Sequence, residues 1–140
     1  MDRCLLDTSA LSEVIDVLAM RSPLLARRSK AYLRAHGHFT FSEVTCYEIL
    51  RGLRKKHAVV QEQRFRAFCD RCERIPVTAE VFDLAATLWA TGQAQGMVIE
   101  DADLIIAATA MIERLTLVTA NLKHFAWMDG ITLLNWRDPA

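Results

Sequence analysis

The chain has 140 residues, of which 52% are hydrophobic, and its 17 basic residues are balanced by 17 acidic ones. This length and apolar content predict one compact domain over residues 1–140, and they exclude a disordered chain or a small disulfide-stapled fold. The balanced charge gives no global sign of a nucleic-acid partner.

Three features predict a cytoplasmic protein without a membrane span. Residues 1–7 hold too short an apolar run for a secretory signal. The longest apolar run, Leu104 to Ile112, is interrupted by Thr109 and falls well below the roughly 20 residues that a spanning helix needs. The four scattered cysteines agree with a compartment in which thiols stay reduced.

The basic residues are unevenly distributed. Residues 21–74 hold 13 of the 17 lysines and arginines but only five of the 17 acids. Two interpretations stay open for this segment: solvated helix faces, or a rim that contacts phosphate groups beside an acidic pocket.

The first predicted element is a short buried strand, Cys4-Leu5-Leu6, which ends at Asp7. Thr8 or Ser9 is placed to cap the helix that follows. The apolar residues of that helix recur at helical spacing: Leu11, Val14, Ile15 and Leu18.

A break at Arg21-Ser22-Pro23 starts a second predicted helix, which runs from Leu24 to about Ala35 and ends at His36-Gly37. Phe39-Thr40-Phe41 is typical of a second strand.

The third predicted helix follows caps offered by Ser42 and Thr45 and reaches Lys56. Its apolar stripe consists of Cys46, Ile49, Leu50 and Leu53. Glu48 lies on the opposite side, so it is not predicted to join the core; a surface pair with Arg51 at i+3 is the alternative role.

The rest of the chain continues the alternation of helices and strands. Helices are predicted from about Val60 to Cys72, from a cap at Thr78 to Gly92–Gly96, and over the stretch from Ile99 to Ala110; short extended segments are predicted at Arg74–Val77, Leu115–Thr119 and Ile131–Leu134. Strands separated by helices predict a parallel sheet covered on both faces.

The pair Cys69-x-x-Cys72 has the spacing of half a zinc site. The only matching partner pair, His36 and His38, is separated by one residue instead of the usual several. Both cysteines also continue a helical stripe with Phe65 and Phe68, which favours core packing.

The most unusual stretch is Glu100-Asp101-Ala102-Asp103, directly before an apolar run. Charges crowded at the start of a buried helix repel one another and are best tolerated around a cation. Asp101 is placed to cap the first helical amides, whereas Asp103 lies inside the first turn. We therefore assign the chemical role to Asp103, mainly a structural role to Asp101, and none to Glu100.

Asp7 ends a strand, and Asn121 follows the predicted strand at Leu115–Thr119. In parallel sheets ligands collect at the carboxyl ends of the strands, so these residues and Asp103 belong to one edge. With Glu48, the two aspartates would form an oxygen-rich pocket for Mg²⁺ or Mn²⁺, which a substrate phosphate normally completes. Hydrolysis of a phosphodiester follows as the predicted chemistry.

Four motifs in register resemble the PIN-domain ribonucleases, specifically the VapC-type toxins. They are Leu5-Leu6-Asp7-Thr8-Ser9, Val44-Thr45-x-x-Glu48-x-x-x-Gly52, Asp103-Leu104-x-Ile106-Ala107-Ala108 and Leu117-Val118-Thr119-x-Asn121-x-x-x-Phe125. The match spans nearly the whole chain. The resemblance implies a three-layer α/β/α domain with a mainly parallel sheet of about four to five short strands.

The resemblance also implies an activity and a partner. The family's acidic positions map onto Asp7, Glu48 and Asp103, which implies an endoribonuclease dependent on Mg²⁺ or Mn²⁺. A fourth position, acidic in many PIN domains, is Asn121, which orients water or phosphate or simply caps a helix. Thr8 and Thr119 are expected to steady the acids. A VapB-type antitoxin would hold the enzyme inactive, as a toxin homodimer within a larger complex.

The RNA and antitoxin surfaces are less closely specified. Arg51 and Lys55 share the helix side of Glu48 and are the candidates for contacting RNA phosphates. Leu11, Ile15 and Leu50 are candidates for an apolar groove that a partner covers, although each also fits the core. Relatives suggest a structured RNA, tRNA above all, and inhibition of translation.

Two alternatives stay open. A haloacid-dehalogenase-like phosphatase also begins with an apolar strand ending in Asp, but it needs a second Asp where this chain has Ser9. A PIN-like fold kept only for RNA or protein binding is the other, and it leaves the three acids of the pocket unexplained.

Overall fold

The computed structural model describes residues 1–16 and 22–138, in which short strands alternate with helices. The strands are β1 (Cys4–Leu6), β2 (Thr40–Ser42), β3 (Glu73–Ile75), β4 (Thr116–Val118) and β5 (Leu133–Leu134). The helices are α1 (Thr8–Asp16), α2 (Pro23–His36), α3 (Glu43–Lys55), α4 (Val59–Cys69), α5 (Ala79–Ala94), α6 (Asp101–Glu113) and α7 (Leu122–Phe125). Leu18 and Arg21, named in the predictions, lie outside the described residues.

Every strand pair in the described residues is parallel. β4 lies between β1 and β5 in a three-stranded sheet, and β2 pairs with β3 in a second one. β2 also lies against β1, which brings the two groups together. Leu6 is in register with Val118, so β1 and β4 end at the same level. The predicted mainly parallel arrangement of about four to five short strands is confirmed.

The strands divide the core into two halves. Leu5 and Leu117 pack on one face with the apolar residues of α5 and α6. Leu6 and Val118 pack on the other face with residues of α1, α2 and α3. Because successive strand residues point to opposite faces, helices cover both sides of the sheet. The predicted three-layer α/β/α architecture is confirmed.

Two helices, α3 and α5, begin at polar residues that were predicted to cap them. Ser42 Oγ accepts from the Val44 amide over 3.2 Å, and Thr78 Oγ1 accepts from Val81 over 3.3 Å. α2 ends at Gly37, whose φ of 84° is a left-handed conformation that glycine adopts without strain.

The first helix differs from its prediction. Neither Thr8 nor Ser9 is its cap, because α1 already begins at Thr8. Asp7 caps it instead: its Oδ1 accepts from the Ala10 amide over 2.8 Å. The first acid of the motif therefore has a structural bond as well as any chemical role.

α6 directs its acidic end toward the carboxyl edge of the sheet. It leads into β4, and a helix that precedes a parallel strand runs opposite to it, so the N-terminus of α6 lies where the strands end. The alanines Ala107, Ala108 and Ala110 are completely buried, which lets the helix pack closely. The apolar body thus fixes where Asp103 is presented.

The cysteine pair lies in the core region, as predicted. All four cysteines are free thiols. Cys69 and Cys72 pack beside Phe68 against the cluster of α1–α3, and α4 ends at Cys69, earlier than the predicted Cys72. Burial raises the pKa of the Cys69 thiol to about 12 and that of Cys72 to about 11.

One predicted partner contact is wrong. Leu11 is completely buried in the core, so it presents no surface to a partner. Ile15 and Leu50 are partly buried and pack against the same cluster. Within residues 1–16 and 22–138, no helix combines the length and apolar character of a membrane span.

Candidate active site

Asp7 is the most buried acid of the site, with 6% of its surface exposed. Its amide donates to the Val118 carbonyl over 3.0 Å, which continues the pairing of β1 with β4 beyond the last strand residue. The Thr119 hydroxyl donates to its carboxylate. Two adjacent strand ends and the start of α1 therefore hold this side chain.

The environment of Asp7 disfavours its charged form. Burial is the main reason that its pKa is raised, and the negative charge of Asp103 raises it further. The hydrogen bonds from Thr119 and from the Ala10 amide lower the pKa and offset part of that rise. The carboxylate is thus well anchored but short of positive charge.

Glu48 reaches the same region from α3. The Thr8 hydroxyl donates to its Oε1 over 2.6 Å, and the Thr45 hydroxyl lies 3.2 Å from that of Thr8. Since a carboxylate only accepts, the Thr8 proton points to Glu48 and Thr45 donates to Thr8. Arg51 Nη2 is 3.4 Å from the other oxygen, Oε2. The i+3 pair with Arg51 of the alternative interpretation therefore forms, but the side chain of Glu48 is only 14% exposed, so Glu48 is not a surface residue.

Asp103 occupies the first turn of α6, and its carboxylate faces α7. Burial is the main cause of its raised pKa, to which the charges of Glu48 and Glu100 add. His124 acts in the opposite direction, since its Nε2 lies 3.0 Å from Asp103 Oδ2. Asp103 is thus coupled to one base and to two further acids.

The three predicted acids come together at one edge of the sheet. The charge of Asp103 acts on Asp7, and that of Glu48 acts on Asp103. They arrive from the end of β1, the middle of α3 and the start of α6. Such like charges, partly withdrawn from water, repel one another unless a cation lies among them.

The chemistry of these side chains fits a hard divalent cation. In the described part of the chain no three acidic, histidine or cysteine side chains already form a closed ligand set. Mg²⁺ does not require one, because it commonly binds through one or two carboxylates and keeps several waters. Asp7 and Asp103, with Glu48 beside them, supply those carboxylates and the unbalanced negative charge.

The acidic start of α6 corrects two sequence interpretations. Asp101 is the first residue of the helix and is exposed, so it does not cap the helix as predicted. Glu100 occupies the cap position, without a capping hydrogen bond from its side chain. Glu100 is also not a bystander, because its charge acts on both Asp103 and Arg51.

Asn121 lies directly before α7, yet it is not a side-chain cap. Its side chain is exposed and makes no capping hydrogen bond, whereas its backbone N–H donates to Thr119 Oγ1 over 3.0 Å. Thr119 therefore connects Asn121 to Asp7. The side chain of Asn121 is thus exposed on the segment that Thr119 links to Asp7.

The predicted RNA contacts lie beside Glu48. Arg51 is half exposed, and its guanidinium lies 5.2 Å from the centre of the Tyr47 ring. Lys55 is exposed one turn further along α3. Both basic groups reach solvent on the helix that carries Glu48.

The sequence interpretation missed His124. Its contact with Asp103 depends on the packing of α7 against α6, which no local pattern shows. One signal was present: His124 directly precedes Phe125, the buried residue that anchors the segment after Asn121. A polar ring at that position is held close to the same edge of the sheet.

Comparison with known proteins shows consistent similarities. A family model described as the PIN domain matches residues 4–130. The chain is 33% identical over 109 residues to "Ribonuclease VapC1" of Methanocaldococcus jannaschii, which covers 78% of each chain. It is 30% identical over 105 residues to "Ribonuclease VapC2" of Rickettsia felis, covering 74% of this chain and 78% of the relative.

Solved structures show the same similarity in three dimensions. The fold superposes with a TM-score of 0.79 on a chain of VapBC2 from Rickettsia felis bound to a DNA fragment from its promoter, at 25% identity over 94% of this chain and 97% of that one. A chain of a toxin–antitoxin complex from Klebsiella pneumoniae gives 0.67, at 29% identity over 95% and 97%.

Proposed function

Because this chain belongs to the PIN-domain family and, within it, to the VapC-type ribonuclease toxins, we propose that it is an endoribonuclease that uses Mg²⁺ or Mn²⁺. One observation carries the proposal: Asp7, Glu48 and Asp103 converge from three distant segments, where the charge of Asp103 raises the pKa of Asp7 and the charge of Glu48 raises the pKa of Asp103. A cation that balances this charge also suits a phosphodiester substrate, which is itself anionic.

Asp7 and Asp103 would hold the cation, with Glu48 completing the pocket. A bound Mg²⁺ or Mn²⁺ supplies activation of water and neutralisation of charge on the phosphoryl group. Thr119 and the Ala10 amide orient Asp7, and Thr8 orients Glu48.

Three side chains at the rim would engage the substrate. The exposed amide of Asn121 is placed to orient a phosphate oxygen or the attacking water. Arg51 and Lys55 would contact backbone phosphates, which position RNA without reading its sequence. The RNA is proposed to be a tRNA or another structured RNA, whose cleavage inhibits translation.

The relatives support a regulatory partner. Solved neighbours are VapBC and toxin–antitoxin assemblies. We accordingly assign this chain a cognate VapB-type antitoxin, a homodimeric state within that complex, and a cytoplasmic location.

The test uses protein purified free of any antitoxin. Wild type, Asp7→Ala and Asp103→Asn are incubated with total RNA and with purified tRNA, in Mg²⁺, Mn²⁺ or EDTA. Cleavage is expected only with metal, and each variant should lose at least 100-fold in rate, in the range of a lost catalytic group. Asp83→Asn, an exposed aspartate on α5, is the matched control and should cleave as wild type does.

Two outcomes would contradict the proposal. Equal cleavage by both site variants would show that the site is assigned wrongly. No metal-dependent cleavage of any RNA would favour the binding-only alternative. The phosphatase alternative is set aside, because the chain belongs to the PIN family.

A further inference from the structure

We propose that His124 is a positioning residue that orients the Asp103 carboxylate for the divalent cation; this inference rests on the function proposed above. The contact joins two site segments, the start of α6 and α7, which β4 separates in the chain. It concerns a side chain that carries no part of the four sequence motifs.

The His124–Asp103 contact is short but not aligned. Nε2 is 3.0 Å from Oδ2, yet the nitrogen has no partner in hydrogen-bond geometry among the described residues. The N–H bond therefore does not point straight at the oxygen. Hydrogen bonds of this kind are often poorly aligned without ligand and tighten once it is bound.

Burial of the nitrogen separates positioning from direct catalysis. Nε2 is shielded from solvent, although 24% of the His124 side chain is exposed through its other atoms. A nitrogen that is shielded from solvent beside Asp103 has no path to a substrate phosphate. Its available role is to donate to the carboxylate, which the neutral ring with its proton on Nε2 can do.

The histidine ring is held in place by its own segment. The His124 amide donates to the Asn121 carbonyl over 3.2 Å, and its carbonyl accepts from Trp127 Nε1 over 2.8 Å. The ring meets Phe125 edge-on, with 5.1 Å between centroids, and Phe125 is completely buried. A ring fixed this way can impose an orientation on a flexible carboxylate.

Asp103 needs such a partner because its other neighbours are acids. Glu48 and Glu100 both act on it with negative charge. Without a donor at Oδ2, repulsion would favour rotation of the carboxylate away from the pocket and toward water. Partners of this kind typically account for a 10-fold to 100-fold difference in metal affinity.

The experiment measures metal binding without RNA, on the full chain free of antitoxin. Mn²⁺ affinity is determined by electron paramagnetic resonance and calorimetry for His124→Leu, His124→Gln and His124→Asn. The Leu variant should bind about 10-fold to 100-fold more weakly. Gln places a donor near the Nε2 position and should recover most of the affinity, whereas the shorter Asn should not.

Two controls isolate the pair. His38→Leu removes a partly exposed histidine that lies two residues before β2, and this variant should bind Mn²⁺ as wild type does. In an Asp103→Asn background, His124→Leu should cause no further loss, because the group that it positions is gone. Circular dichroism checks that each variant is folded; if the Leu variant is not, the comparison of Gln with Asn decides.

The outcomes distinguish this inference from the proposed function. If His124→Leu binds Mn²⁺ and cleaves RNA like wild type, the positioning role is wrong and the ribonuclease assignment stands. Equal weakening in Gln and Leu would also overturn the role of the donor. If wild type binds Mn²⁺ in a His124-dependent way yet cleaves no RNA, the positioning role stands and the function falls. If wild type binds no Mn²⁺, both fall.

Discussion

The Thr8 hydroxyl donates to Glu48 Oε1 over 2.6 Å, although the two residues are 40 positions apart in the chain. Thr8 follows Asp7 directly, so the bond ties the acid from β1 to the acid from α3. Thr45, which is completely buried, lies with its hydroxyl 3.2 Å from that of Thr8 and donates to it. The Thr8 hydroxyl thus fixes Glu48 to the segment that carries Asp7.

Replacing Thr8 by Val should therefore impair the site more than the fold. Val keeps the shape of Thr8 but removes the hydroxyl that donates to Glu48. Arg51 then remains as a partner of the Glu48 carboxylate. We expect a loss of about 10-fold or more in cleavage rate and metal affinity, and about 1–2 kcal/mol in the free energy of unfolding. RNA cleavage, Mn²⁺ titration and urea unfolding measure these. Thr8→Ser keeps the donor; a Ser variant as impaired as Val would contradict the explanation.

The raised pKa values of Asp7 and Asp103 predict that these two acids lower the free energy of unfolding as the pH rises. A carboxyl whose pKa is raised on folding contributes its stability below the unfolded value of about 4, and that contribution is lost as the pH rises through the folded pKa. At pH 7 to 8 without metal, Asp7→Asn should therefore be more stable than wild type, because the amide carries no charge that burial and Asp103 disfavour. Asn still accepts from the Ala10 amide.

Thermal unfolding at several pH values tests this expectation. The gain should vanish below about pH 4, where Asp7 is protonated in both states. Both proteins are compared in EDTA. If Asp7→Asn is less stable than wild type at pH 8, the charge of the Asp7 carboxylate is already balanced without metal.

Divalent metal should stabilise the wild-type protein, because it relieves the repulsion among the acids. At ten times the dissociation constant, binding adds about 1.4 kcal/mol, or a rise of roughly 4 °C in Tm for a domain of this size. EDTA should reverse the rise. Asp7→Asn combined with Asp103→Asn should abolish it; a Tm that rises equally in the double variant would place the metal elsewhere.

The cysteines should be inert in the folded protein. Cys4 and Cys46 are buried, and burial raises the pKa of Cys4 to about 11 and that of Cys69 to about 12. Thiolate is the reactive form, so an aromatic disulfide reagent at pH 8 should modify the thiols slowly. In guanidinium all four should react at once. Rapid reaction of Cys69 or Cys72 in the native state would contradict their core role.

Two helical glycines offer a matched pair for testing packing near α7. A Cβ on Gly92 would lie 3.0 Å from the Trp127 ring, whereas one on Gly52 would meet nothing within 4 Å. Gly92→Ala should destabilise by about 1–3 kcal/mol through overpacking. Gly52→Ala should stabilise by about 0.5–1 kcal/mol through helix propensity. Urea unfolding compares them, and equal effects in both variants would mean that Trp127 moves freely aside.

Trp127 also donates to the His124 carbonyl, so Gly92→Ala tests whether a shift of the Trp127 ring affects metal binding. Mn²⁺ affinity should fall in this variant if the segment after Asn121 is displaced together with the ring. It should stay unchanged in Gly52→Ala.

Much of the architecture was predictable because its causes are local. The buried run before Asp7 and the run after Asp103 each specify an element from neighbouring residues, and parallel strands then bring their carboxyl ends to one edge. Element ends were less predictable: α1 uses Asp7 as its cap, and Glu100 takes the cap position expected of Asp101. A single residue separates these alternatives, and local propensity hardly distinguishes them.

By itself, the sequence determined the order of strands and helices, the two-sided burial of the sheet and the identity of the acids that meet at its edge. Periodicity indicates the elements, and the resemblance of four motifs to the PIN-domain ribonucleases indicates the acids. Only the tertiary structure decided which groups accompany those acids: Thr8 on Glu48, Thr119 on Asp7, and His124 with Glu100 beside Asp103. The reason is physical, since hydrogen bonds and charge coupling depend on distances of a few ångströms between distant segments.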